Sequence, residues 1–245
     1  MVSKNQIKII TGLQQKKYRR QQKLFFAEGI KVVQELLNSN FELHHLYTTQ
    51  ALFNNVPADK STIITNADLK KISALTTPQA CLALFVIPDE KPLAATGLIV
   101  AIDDVRDPGN LGTLIRLCDW FGIEHLVCST GCVDVYNPKV VQATMGSLTR
   151  VNVVYTDLPE YFKQAGLPVY GTFMDGENIY AQTLPQEGII VLGNEANGIS
   201  AEVESRVTQR LTIPRFGNLQ QTESLNVATA AAIILSEFRR GTGVL

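Results

Sequence analysis

From residue 97 onward the chain alternates short, strongly apolar runs with turns and, between most of them, helical stripes. The runs are "LIVAIDDV" (98–105), "HLVCS" (125–129), "VNVVYT" (151–156), "PVYGTFM" (168–174), "GIIVLGN" (188–194) and "RLTIP" (210–214). A strand with one wet face alternates apolar and polar residues, whereas a continuous apolar run is buried on both faces. Such strands separated by helices predict a mostly parallel α/β sheet with helices on both sides. The helices are expected at Leu111–Phe121, near 138–147, 158–165 and 200–207, and at Ser224–Arg240.

The first third alternates too, with shorter elements. Leu24–Glu28 reads as a strand, and Gly29–Leu37 as a helix with Ile30, Val33, Leu36 and Leu37 on one side. Strands at Leu43–Thr48 and Ser61–Thr65 follow. Asn66 is the expected N-cap of a helix running to Leu75, before the strand in "CLALFVIP". The Pro- and Gly-bearing stretch "PDEKPLAATG" (88–97) marks a division into a small α/β domain, 1–95, and a larger one, 96–245.

The composition, 45% apolar and 18% charged over 245 residues, is that of a globular protein with material for a large core. No apolar run approaches the roughly 18 residues of a membrane span. "MVSKNQIKII" lacks the apolar stretch of a signal peptide, so a cytoplasmic protein with no membrane partner is expected. Cys118 lies on a helical apolar stripe and Cys128 closes a strand. With His125 and Cys132 they could be forced into a metal set, but these placements favour small core residues, and no metal is expected.

Net charge is −1, but its distribution is uneven. Residues 1–27 hold seven Lys or Arg and no acid. Within "KKYRRQQK", Lys16, Lys17, Arg19 and Arg20 stand beside a tyrosine and glutamines, a mixture suited to a nucleic-acid backbone. The competing reading is a solvated helix face.

Three loops at strand ends carry the unusual polar residues, and ligands of open α/β sheets collect at the carboxyl ends of strands. In "RDPGNLG" (106–112), Asn110 is a candidate cap for the next helix, and Gly109 and Gly112 allow close backbone approach. Arg116 faces outward on that helix, opposite the stripe of Leu111, Leu114, Ile115 and Cys118, and is a candidate anion contact. The second loop, "VLGNEANGIS" (191–200), has the outline of a phosphate-binding loop with Ile199 where lysine belongs. No G-x-G-x-x-G follows any strand, which argues against a nucleotide-dependent oxidoreductase. Gly193 permits close approach and Glu195 adds a negative charge, so a nucleoside-like ligand with a positive centre suits this loop. In the third, "IPRFGNLQQTESLNVATAAA", Ser224 is a candidate N-cap, with Asn226 in the first turn and small residues Ala228–Ala232 suited to a subunit interface.

Together, "NLGTLIRLCDWFG", the Ile190–Ser200 loop and "IP…ESLNV" resemble the SpoU (TrmH-type) family of RNA ribose 2′-O-methyltransferases, across about residues 98–240. "FFAEGIKVVQELL" and "ISALTTPQACLALFVIP" resemble that family's substrate-binding module. The resemblance implies S-adenosylmethionine as methyl donor and a SPOUT-type sheet with a trefoil knot, which periodicity alone would not reveal. It implies a donor pocket around Thr172, Phe173, Met174, Gly193, Glu195, Ile213, Pro214 and Leu225. It also implies a catalytic polar set of Asn110, Arg116, Glu195, Ser224 and Asn226, and a homodimer built through the last helix. RNA is the implied partner, with ribosomal RNA of the large subunit favoured and transfer RNA as the other candidate. The stretch "NLQQT" between Gly217 and Glu223 is a few residues longer than the usual motif.

Methyl transfer from a sulfonium is an in-line displacement, so the protein must mainly align the reacting atoms. A guanidinium keeps its charge at physiological pH. Arg116 is therefore expected to grip the 3′-phosphate, not to act as base, while Ser224 and Asn226 orient the ribose or the loops. A non-catalytic RNA-binding or ribosome-assembly factor of the same fold is the alternative, distinguished by its failure to bind the donor.

Overall fold

The computed structural model describes residues 1–217 and 224–240. Residues up to Glu90 carry α1 (Lys4–Gly12), α2 (Lys16–Gln22), β1 (Leu24–Glu28), α3 (Ile30–Leu37), β2 (Leu43–Thr48), β3 (Ser61–Ile63), α4 (Asn66–Ile72) and β4 (Cys81–Val86). Then come β5 (Leu98–Ile102), α5 (Pro108–Trp120), β6 (His125–Ser129), α6 (Pro138–Thr144), β7 (Asn152–Thr156) and α7 (Leu158–Ala165). The described chain finishes with β8 (Val169–Asn178), β9 (Gly188–Leu192), α8 (Ala201–Glu204), β10 (Gln209–Thr212) and α9 (Val227–Arg239).

By packing, the chain forms two units, 1–90 with 134–149, and 91–133 with 150 onward. The second holds a six-stranded sheet in the order β10-β8-β9-β5-β6-β7, parallel at every pairing. Its central strands β5 and β9 are buried along their whole length, and the edge strand β7 is half-buried throughout. The central strands have the burial that uninterrupted apolar runs imply, whereas β7, whose run is broken by Asn152, lies at the edge and does not. Strand β8 runs four residues beyond Met174, through Asp175–Asn178, because β10 pairs beside it and resumes after a register shift between Arg210 and Leu211.

The first unit has a mixed sheet, β1-β4-β2-β3, with only β2 and β3 parallel. Helix α1 opens on a capping box, Ser3 with Gln6, and buries Ile10 and Leu13 in the unit's core. Helix α4 is capped by Thr65, not by Asn66, and stops at Ile72, not Leu75. The physical reason lies in buried Glu28, whose carboxylate accepts the Ser73 hydroxyl and the Ala74 N–H (2.9 Å) and so draws the backbone out of the helix.

Residues 134–149 join this unit chiefly through α6 and Tyr136, whose ring lies 4.7 Å from that of Phe25. Asp134 pairs with Arg19, which also donates to the carbonyls of Leu13 (2.8 Å) and Gln14 (3.0 Å). Arg19 is 2% exposed. The expectation that it contacts RNA is therefore corrected, because its donors are turned inward to partners of its own unit. Lys16, Lys17 and Arg20 are exposed on the same short helix, with Tyr18 between them.

Among the described residues, no helix is long and apolar enough to cross a membrane. Cys118 and Cys128 are buried, and burial pushes the Cys118 thiol up to about 12.

Candidate active site

Helix α5 begins at Pro108, which has no N–H to lose at that position, and its N-cap is Asp107. Asn110 is thus not the cap. Its own N–H donates to the Asp107 carboxylate (2.8 Å), which leaves the Asn110 amide free for other work. Helix α9 corrects a second expectation. Asn226 is its N-cap, accepting from Ala228 and Thr229 N–H at 3.0 and 3.3 Å, and Ser224 lies exposed ahead of the helix.

These two asparagines meet. The Asn226 Nδ2 donates to Asn110 Oδ1 at 2.9 Å, and Asn110 Nδ2 donates to the Glu195 carboxylate. Three loops far apart in sequence are joined by one run of side-chain hydrogen bonds. In each amide the acceptor and donor ends are both used, so the run has a fixed sense that ends on the acid. Arg116 is exposed on α5, six residues beyond Asn110, and stands outside this run. Six residues are about 9 Å of helix rise.

The loop after β9 is held by polar groups that the sequence reading missed. Asp103, 6% exposed at the end of β5, accepts the Ser200 N–H at 2.9 Å. The Asn194 amide donates to the Asp104 carbonyl at 2.7 Å, and its oxygen accepts from Ala196 and Asn197 N–H. Asp104 itself is left-handed (φ 55°) and donates its N–H to Ser129 Oγ. The only sequence signal was a pair of acids directly after a buried apolar run.

Gly193 has a stricter reason to be glycine than ligand approach. Asn194 and Gly198 exchange both backbone hydrogen bonds at 2.9 Å, and a Cβ on Gly193 would strike the backbone of Gly198 and Ile199. Ile199, at the position of a phosphate-loop lysine, is 8% exposed and packs in the core below the loop with Ile99, Val127 and Val191. The loop is a closed turn with a carboxylate at its tip.

The remaining expected pocket residues flank the ends of β8 and β10. Thr172, Ile213 and Pro214 are half-buried, while Met174 and Leu225 are 50% and 45% exposed. The Phe173 ring is already in use. It packs against the core, and the Arg210 guanidinium lies 3.6 Å from its centre, held there by Asp175 and Glu204. Phe173 shapes this region as packing. The extra residues of the loop before Ser224 fall at 218–223, outside the described residues.

The SpoU rRNA Methylase family model matches residues 97–236, more than half of the chain. The chain belongs to the SpoU family. Ahead of that match, residues 4–83 match the MRM3-like substrate binding domain. A Bacillus subtilis relative, the 23S rRNA (guanosine(2553)-2′-O)-methyltransferase RlmP, is 34% identical, with 97% of each chain covered. A solved TrmH-family structure from Porphyromonas gingivalis is 44% identical, with a TM-score of 0.90 and 98% and 99% of the two chains covered. An AdoMet-bound rRNA methyltransferase from Sinorhizobium meliloti is 27% identical, with a TM-score of 0.84 and 98% and 97% covered. The SpoU match spans all three loops that the asparagine–glutamate run draws together.

Proposed function

We infer that this protein transfers a methyl group from S-adenosylmethionine to a ribose 2′-hydroxyl of ribosomal RNA. The observation that carries the reading is the Asn226–Asn110–Glu195 run, which fastens the three SpoU loops to one another at the carboxyl end of the sheet. The names of the Bacillus and Sinorhizobium proteins support the donor and the RNA class.

The residues present fit a cationic donor. The loop after β9 is too tightly closed on itself to wrap a triphosphate, and its tip carries an acid instead of a lysine. Glu195 orders that loop through Asn110 and favours a positive ligand over a neutral product. Ile213, Pro214 and Leu225 offer apolar surface at the neighbouring loops. When bound, the donor supplies an activated methyl group. Arg116 grips the phosphate 3′ to the target ribose and turns the 2′-hydroxyl toward that methyl. Ser224, next to the capping Asn226, orients the ribose. The proton leaves to that phosphate or to water, since a guanidinium cannot take it.

The same reading includes a trefoil knot through the β8–α9 region, a cytoplasmic location and a homodimer. Trp120, 83% exposed at the end of α5, which packs on α9, supports a second copy covering that face. Mapping 2′-O-methyl sites in total RNA from cells with and without this protein tests the function. One ribosomal position should lose its methyl, and an unchanged map would refute the reading.

Lys17 and Arg20 form the proposed RNA-facing charge on α2. Truncation is a poor test, since Ile10 and Leu13 are fully buried and their loss would cost about 1.5–3 kcal/mol each. Reversing Lys17 and Arg20 to glutamate keeps the core. RNA affinity should fall, and its dependence on log salt should flatten by about two. An unchanged slope would remove α2 from the RNA surface.

A further inference from the structure

We propose that a cavity on the first unit receives a single unstacked guanine of the bound RNA, with Glu28 reading its Watson–Crick edge. This rests on the RNA reading above and deepens it by naming a base that the substrate-binding unit selects. The cavity measures about 280 Å³ and is open to solvent. That lies just under the roughly 300–1,000 Å³ of sites for drug-sized ligands, a size for one heterocycle and not for a peptide segment.

Its walls are apolar and its polar groups few. Phe26, Leu75, Pro138 and Ala143 provide surface for the faces of a planar ring, while Glu28, Lys139 and Gln142 supply the polar contacts. Single-stranded RNA is read by splaying out bases, stacking them on apolar side chains and bonding their edges.

Glu28 makes the choice of base. It is 4% exposed, and each carboxylate oxygen accepts one internal donor, Oε2 from Ser73 and Oε1 from the Ala74 N–H on the cavity wall. A carboxylate has about four acceptor positions, so each oxygen retains one. Guanine alone among the four RNA bases places two adjacent donors, N1–H and N2–H, on its pairing edge. Adenine, cytosine and uracil each set an acceptor against one of the oxygens. Burial pushes the Glu28 carboxyl above its ordinary value despite its two donors, the behaviour of a carboxylate short of solvation. Lys139, exposed at the rim, is placed for a backbone phosphate, and half-buried Gln142 can donate to the guanine O6.

The test uses the full chain. Guanosine, adenosine, cytidine and uridine 5′-monophosphates are titrated against protein saturated with the demethylated donor product, and the Phe26 and Leu75 side-chain signals are followed by NMR. The guanosine nucleotide should shift them, and the others should do so at least about tenfold more weakly. Ala143→Phe, which fills the cavity with a ring, should abolish those shifts. It should also raise KM for protein-free ribosomal RNA about tenfold while donor affinity is unchanged. Equal shifts with all four nucleotides, no shift with any, or an unaltered KM would overturn the proposal. So would a defect of Ala143→Phe confined to assembled ribosomal particles, which would make the cavity a protein-docking site. Should Ala143→Phe not fold, the nucleotide titration decides alone. Absence of any methyl transfer by the unaltered protein would instead refute the function proposed above, and the titration would still read the cavity.

Discussion

Arg116→Ala should lower turnover by about a hundredfold or more and leave affinity for S-adenosylmethionine within a few fold. The asymmetry follows from where the residue sits. Arg116 is exposed on α5 and takes no part in the hydrogen bonds that join Asn110, Glu195 and Asn226. Its removal should leave the hydrogen-bonded loops as they are and delete only the phosphate contact proposed to align the RNA. Arg116→Lys keeps the charge but loses the planar fork that grips a phosphate through two bonds, so it should restore only part of the rate. Single-turnover rates at saturating RNA, paired with calorimetry of the donor, separate the two effects. Equal losses in rate and donor affinity would contradict this division of labour.

Arg19→Ala should act on stability by about 3–5 kcal/mol, the scale of a buried ion pair that loses one partner. The substitution strands Asp134 and the carbonyls of Leu13 and Gln14, all of which the guanidinium satisfies. It also removes the charged tie between α2 and the 134–149 segment within the first unit. Replacing both partners, Arg19→Met with Asp134→Leu, should recover much of the loss, because no unpaired charge then remains buried. Lys17→Ala, on the exposed side of the same helix, should stay within about 0.5 kcal/mol. Urea unfolding of the four proteins reads these differences. An Arg19→Ala protein as stable as the parent would make the pair irrelevant to the fold.

The two arginines show what sequence can and cannot reveal. Both stand in recognisable surroundings, one in a basic cluster and one above a Gly- and Asn-rich loop. Arg116 faces outward because the apolar stripe of α5 occupies the other side, and that periodicity is written locally. Arg19 is turned inward by Asp134, 115 residues away, and no local pattern carries that information.

The same distinction separates strands from helix starts. Strands β5, β6 and β9 were legible because burial on both faces demands unbroken apolar runs. The last four residues of β8 were not, since Asp175–Asn178 is polar and owes its strand form to β10. Each misassigned cap had a rival within three residues, Thr65 for Asn66, Asp107 for Asn110 and Asn226 for Ser224. At α5 the deciding residue is Pro108, which suits the first helical position and so sets the cap one residue earlier. The consequence reaches the site, because an Asn110 engaged as a cap would have had to share its oxygen between the helix N–H groups and Asn226. The resemblance identified Asn110, Glu195 and Asn226. Their joining into one run, and the fasteners Asp103 and Asn194, came only from the folded chain.

The claim that this fold moves a methyl group to a sugar oxygen is tested most directly with purified protein, methyl-labelled S-adenosylmethionine and ribosomal RNA from cells lacking the protein. Label should enter one nucleotide, and the phosphodiester on its 3′ side should become resistant to alkaline cleavage, which needs a free 2′-hydroxyl. Label that enters a base and leaves that bond cleavable, or no label with donor bound, would contradict the account.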